Sequence, residues 1–186
     1  MTSSDVIAYL RWAQCKPETE MPLFSFDVYD LLEQAKYSLP ALKERKVDLW
    51  IAPQESLACI KTEPNGAQIL IHPILNRVDL PIEVMAFILG HELIHLIIRP
   101  RLVDGVMKSH PPEFFEFEEA TQPHRAFAWN WIHIALNGYL KFDKEREGTF
   151  VKWQWRKSRS HAGPPEQIIR QLVADSQYRQ KIEGLI

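Results

Sequence analysis

Apolar residues recur at helical spacing through much of this chain, and strand-forming residues are concentrated between positions 47 and 75. The helical period, with its start and stop signals, predicts helices over 4–14, 27–39, 81–98, 113–120 and 123–140, and a last helix that begins at Pro164. Runs of β-branched and aromatic residues predict strands over 47–52, 57–62 and 67–75. The tripeptide Pro64-Asn65-Gly66 is typical of a hairpin turn between the second and third strands. The order of these elements predicts an α+β fold.

Two stretches of the chain show no clear period. Residues 101–109 are predicted to be a loop with Gly105 as a candidate hinge, and residues 141–163 to be charged, irregular chain. A length of 186 residues fits one domain with a substantial core. We therefore expect a single domain over 1–186, with a core of about 27–140 onto which helix 4–14 and the extension 141–186 pack.

Composition and charge narrow the class of protein. Apolar residues make up 46% of the chain and charged residues 25%, and the net charge is −2, so no global field indicates a nucleic-acid or membrane partner. Cys15 and Cys59 are too few for zinc sites built from three or four cysteines. The first residues lack the pattern of a secretory signal, and no apolar run reaches the roughly 18 residues of a membrane span. We expect a cytoplasmic protein.

The segment His91-Glu92-Leu93-Ile94-His95 is the strongest chemical signal in the sequence. It lies within a predicted helix, where residues four apart share a face, so both imidazoles can reach one zinc ion. Glu92 projects from the adjoining face and can take a proton from the water that zinc activates. The spacing predicts two metal ligands and a general base.

A catalytic zinc site uses three protein ligands, so a third ligand is expected downstream. His110 is the first choice, because it follows a predicted loop that could reverse the chain and directly precedes the next helix. A carboxylate of that helix is the alternative, from Glu116, Glu118 or Glu119. His124 and His133 are more typical of histidines bonded to a neighbour than of ligands.

The flanks of the motif resemble those of SprT-like metallopeptidases and their small YgjP-like relatives. The resemblance lies in the segment His110-Pro111-Pro112-Glu113-Phe114-Phe115, in Glu118, Pro123 and Trp131-Ile132, and in the strand-like run Ile69–Leu75 before the helix. It covers about half the chain, roughly residues 47–136. His72 stands where the family often has Asn, and Pro111 where Gly or Ser is common, which weakens the subfamily assignment more than the zinc site.

This resemblance implies a zinc-dependent peptidase with a zincin-like core, in which a small sheet lies over the active-site helix. It implies zinc on His91, His95 and His110, with Glu92 as general base and later proton donor. The strand that ends near His72 would form the upper edge of the cleft, where an extended peptide could pair. An oxyanion partner beyond zinc is not identifiable, and the candidates are Tyr139, His133, Arg125 and His72.

A basic, aromatic segment near the C-terminus suggests a second hypothesis. Residues 152–161 combine Trp153 and Trp155 with four cations and no acid, a mixture that can bind single-stranded nucleic acid by stacking and phosphate contact. The alternative function is therefore a zinc-stabilised binding module that associates with nucleic acid and has no peptidase activity. Two tryptophans docked on the core of the domain would explain the same segment without any partner. The oligomeric state is not predicted.

Overall fold

The computed structural model of the protein describes residues 24–143, 148–158 and 166–174, so the helix predicted over 4–14 lies outside the described residues. The helices are α1 (Val28–Tyr37), α2 (Ile82–Ile94), α3 (Pro112–Thr121), α4 (Arg125–Ala135) and α5 (Glu166–Ala174). The strands are β1 (Val47–Ile51), β2 (Ala58–Glu63), β3 (Gly66–Ile71), β4 (Arg101–Val103), β5 (Val106–Lys108), β6 (Leu140–Asp143) and β7 (Gly148–Val151). The predicted α+β class is confirmed.

A three-stranded sheet in the order β1-β3-β2 forms one wall of the core. Strand β3 is parallel to β1 and antiparallel to β2, and the pairing of Glu63 with Gly66 closes the predicted hairpin. Alternate residues of β3 are buried, as expected for a sheet with one covered face. Because β3 is paired on both sides, the expectation that the strand ending near His72 forms an open edge is wrong. The edge strand of this hairpin is β2.

Helix α2 runs through the centre of the core and carries the His91–His95 segment. Nine of its thirteen residues are buried, because α1, α4 and strand β2 pack around it. Gly90 allows a further close approach by the residue that follows α3, since a Cβ there would lie 2.2 Å from Oε1 of Gln122. Each large apolar side chain buried in this way stabilises the fold by about 1.5–3 kcal/mol.

The segment 101–109 is a short hairpin of β4 and β5, so its prediction as a loop is wrong. Asp104 (φ 51°) and Gly105 (φ 78°) form its turn, both in the left-handed region. An Asp-Gly pair between apolar residues is a strong hairpin signal, because glycine adopts this conformation without steric cost. The sequence Val103-Asp104-Gly105-Val106 carries this signal, although each strand of the hairpin is only three residues long.

The C-terminal half differs from its prediction in a similar way. Helix α4 ends at Ala135, well before residue 140, and Leu140 begins a hairpin of β6 and β7 in a stretch predicted to be irregular. Helix α2 also ends earlier than predicted, at Ile94, and continues as a tight turn in which Leu96 N–H donates to the Leu93 carbonyl. Among the described residues, no helix has both the length and the apolar character needed to cross a membrane.

Candidate metal centre

The two histidines of the His91–His95 segment lie on one face at the C-terminal end of α2. His91 is in the last turn of the helix, and His95 follows the last helical residue with helical backbone angles (φ −61°, ψ −19°). Because this conformation keeps the helical spacing, the two ring centroids are 5.2 Å apart. The short turn that follows leads the chain into the β4–β5 hairpin.

The structure brings His110 to these two histidines from the segment between β5 and α3. Its Nε2 atom lies 3.1 Å from Nε2 of His91 and 3.2 Å from Nε2 of His95. The ligand atoms of the three side chains all lie within 4.8 Å of one another. The hairpin, which reverses the chain after His95, accounts for this approach of residues fifteen positions apart in sequence.

These distances suit three ligands of one metal ion. Burial, with the charge of His91, lowers the pKa of His95 to about 3 and that of His110 to about 4, so both rings stay neutral and keep a lone pair. A proton on His110 Nε2 could satisfy only one of the two nitrogens that it faces. Tetrahedral zinc with Zn–N bonds of about 2.0–2.1 Å holds its nitrogens about 3.3 Å apart. The three histidines could therefore hold a metal ion.

Glu118 on α3 orients His91 from behind. Its Oε1 atom lies 2.5 Å from His91 Nδ1, and its Oε2 atom accepts a hydrogen bond of 2.8 Å from Arg125 Nε. A carboxylate can only accept here, so Nδ1 of His91 donates, and Nε2 is the atom of His91 that faces His110. Burial lowers the pKa of His91, but the hydrogen bond and charge of Glu118 and the charge of Glu92 outweigh it and leave that pKa raised.

Glu92 lies between the metal centre and the sheet. It is buried, and burial raises its pKa to about 7, although the charge of His91 and a hydrogen bond from the backbone N–H of Ile60 oppose the rise. His72 N–H donates to the Leu57 carbonyl, so this register directs the backbone groups of Ala58, Ile60 and Thr62 away from β3. Glu92 is thus bound at the edge of β2 that faces no strand of its sheet.

The other residues considered for the centre lie elsewhere. Glu116 and Glu119 are exposed on α3, and His124 is exposed at the start of α4. His133 stacks on Trp129 with ring centroids 5.7 Å apart. Tyr139 lies between α4 and β6, where its backbone N–H donates to the Leu136 carbonyl. Within the described residues, the cluster that could hold a metal is the three-histidine cluster alone.

His72 contacts the described part of the basic segment, residues 152–158. His72 is 1% exposed, its Nδ1 accepts from Ile74 N–H, and the ring of Trp155 meets it edge-on at 4.9 Å. Burial and the charge of Arg156 lower the pKa of His72 to about 4. Trp153, by contrast, is 79% exposed. The interpretation that both tryptophans dock on the core therefore holds for Trp155 and not for Trp153. Nucleic-acid contact stays a prediction.

Comparison with known proteins gives a structural likeness to a metallopeptidase. No protein-family model matches the chain, and no curated protein matches it. Among solved structures, the chain is similar to the crystal structure of the metallopeptidase zymogen of Pyrococcus abyssi abylysin, with 31% sequence identity and a TM-score of 0.41. The similar region covers 52% of this chain and 81% of that one.

Proposed function

We propose that this protein is a zinc-dependent peptidase with a zincin-like active site, related to the SprT-like family. One observation carries the proposal: three imidazole Nε2 atoms converge beside a buried glutamate at the unpaired edge of a strand. Zinc is the metal proposed, because neutral imidazoles suit it and three protein ligands leave a fourth position open. His91, His95 and His110 would hold the ion.

The chain's own residues account for proton transfer. A zinc ion at this site would supply Lewis-acid activation of water and of the scissile carbonyl. Glu92 accepts the proton of the attacking water and later delivers it to the leaving amine. A pKa near 7 suits a group that must take up and release a proton near neutral pH. The hydrogen bond from Ile60 N–H holds this carboxylate and leaves its second oxygen for the water.

The substrate is proposed to be an extended peptide bound along β2. The outward carbonyl of Ile60 and the outward backbone groups of Thr62 lie beside the Ile60 N–H that binds Glu92. An added strand that paired there would bring its peptide bonds past Glu92 and the three histidines. In this proposal an extended peptide still pairs with a strand edge, but the strand is β2 and not the one that ends near His72.

The test is Glu92→Gln in the metal-loaded protein, assayed with an unstructured protein such as casein. We expect the variant to keep one zinc per chain and to lose at least about 100-fold in cleavage rate, because an amide cannot take the proton. Glu116→Gln, an exposed change of the same kind, is the control and should cleave normally. Unchanged cleavage in Glu92→Gln would refute the proposed peptidase mechanism with Glu92 as general base. A zinc-stabilised module without peptidase activity would show zinc and no cleavage in the wild type.

A further inference from the structure

Helix α3 has two buried side chains, and both meet the candidate metal ligands. Phe114 is 0% exposed and Glu118 is 1% exposed. They are four residues apart, so they lie on the same helical face one turn from each other. Glu116 and Glu119 on the same helix are exposed. The buried face of this helix is thus directed at the histidine cluster.

Phe114 contacts the rings of all three histidines. Its ring centroid lies 5.0 Å from that of His91, 4.6 Å from that of His95 and 4.7 Å from that of His110. These separations are those of aromatic pairs in direct contact. Rotation of any of the three imidazoles would therefore displace the buried phenyl ring or be blocked by it.

Glu118 restricts the rotation of the His91 ring through a hydrogen bond to Nδ1. Its two oxygens are divided between His91 Nδ1 and Arg125 Nε, so the carboxylate itself cannot turn without breaking one of these bonds. The side chain of Arg125 is only 13% exposed, which keeps this pair out of bulk water. A buried charged bond of this kind is stronger than one at the surface.

We propose that Phe114, Glu118 and Arg125 are positioning residues that preset the geometry and the metal affinity of the three-histidine centre. This inference rests on the proposed metal centre and is independent of peptidase activity. Phe114 packs against the three rings together, and Glu118, held by Arg125, sets the tautomer and orientation of His91. Partners of this type commonly change metal affinity 10–100-fold.

The experiment measures metal binding directly, with cobalt(II) and zinc added to the metal-free full-length protein. Cobalt is the spectroscopic probe, because its visible absorption depends on the number and geometry of its ligands. Glu118→Gln should weaken zinc binding by about 10–100-fold in a chelator competition and should alter the cobalt spectrum. Phe114→Leu should alter the cobalt spectrum by freeing the three rings.

Controls separate positioning from general stability. Glu116→Gln changes the same functional group on the exposed face of α3, and it should match the wild type in affinity and spectrum. Circular dichroism of each metal-free variant identifies any that do not fold. Arg125→Gln, a change at the first residue of α4, provides a second route to the same weakening if Glu118→Gln does not fold.

The possible outcomes distinguish this inference from the proposed function. Folded Glu118→Gln or Arg125→Gln protein with wild-type affinity and spectrum would overturn the positioning role. A wild-type protein that binds neither metal would overturn both the metal centre and this inference. Weakened metal binding in the variants, with no peptide cleavage by the wild type, would uphold the positioning role and refute the proposed peptidase activity.

Discussion

His110 and the acidic residues of α3 competed for the role of third ligand on sequence grounds, and their positions in the fold now differ sharply. His110 lies within 3.2 Å of both helix histidines, whereas Glu116 and Glu119 are exposed. Glu118, the third acidic candidate, bonds to the far nitrogen of His91. A carboxylate in that position would act on a metal through His91.

We therefore expect His110→Ala to weaken zinc binding more than about 100-fold, beyond the effect usual for a partner that acts through a ligand. Chelator competition followed by metal analysis of the dialysed protein measures this loss. Glu116→Ala and Glu119→Ala serve as controls and should retain one zinc per chain. Retention of tight binding in His110→Ala, with loss in either control, would assign the third ligand to α3.

His72 gives the fold a dependence on pH that is separate from the metal centre. Its pKa is about 4 in the folded protein, because it is buried and close to Arg156, against about 6.5 when unfolded. Since the unfolded chain binds the proton more readily, stability is complete above about pH 6.5 and falls as the pH drops towards 4. The full effect is about 3 kcal/mol.

The substitution His72→Asn tests this, because an amide oxygen can still accept from Ile74 N–H and does not titrate. We expect the free energy of unfolding of the variant to fall less than that of the wild type between pH 7 and pH 5. Urea titrations of both proteins in chelator compare them without metal, so the contributions of His91, His95 and His110, which both proteins share, cancel. Parallel pH profiles for the two proteins would contradict the prediction.

At the scale of elements, the sheet depends on one close backbone contact at the start of β3. A Cβ on Gly66 would lie 2.6 Å from the Lys46 carbonyl oxygen, which also accepts from Ala67 N–H. This contact joins β3 to the residue that precedes β1, and backbone cannot move aside as a side chain can. The position of β2, and with it the bond from Ile60 to Glu92, depends on the same register.

Gly66→Ala should lower the free energy of unfolding by about 1–3 kcal/mol, the usual cost of overpacking. Gln68→Ala, two residues along and on the same face of β3, is the control and should stay within about 0.5 kcal/mol of the wild type. Chemical denaturation measures both. A change at Gly66 no larger than the control would show that the sheet accommodates the extra methyl group.

At the scale of the whole molecule, a metal ion would join α2 to the segment between β5 and α3. The three imidazoles that would hold it face one another in a partly buried site. Zinc that binds the folded chain and not the unfolded one stabilises it by about 4 kcal/mol at a thousandfold excess over Kd.

For a chain of this length, the chelated protein should therefore unfold about 10 °C lower than the zinc-loaded protein. Differential scanning calorimetry measures both forms. In His91→Ala the two forms should unfold at nearly the same temperature. An equal effect of chelator on the wild type and on His91→Ala would place the stabilising metal elsewhere.

The sequence by itself determined the local features of this protein. Side chains at fixed spacing on one helix share a face in any fold, which is why the pairing of His91 with His95 was predictable. Apolar periodicity likewise predicted α1 and α2, because burial imposes that period, and the strand-forming residues on either side of Pro64-Asn65-Gly66 predicted the β2–β3 hairpin. Short elements such as the β4–β5 hairpin were not predicted, because strands of three residues are too short to show a period of apolar and polar residues.

The tertiary structure alone decided how distant residues meet. The approach of His110, the bonds of Glu118 to His91 and Arg125, and the contact of Ile60 with Glu92 all join separate elements. Their positions follow from packing over the whole core, so no local spacing encodes them. The strand order had the same dependence, because β1 pairs with β3 on the side opposite β2 and so turned the expected open edge into the centre of the sheet.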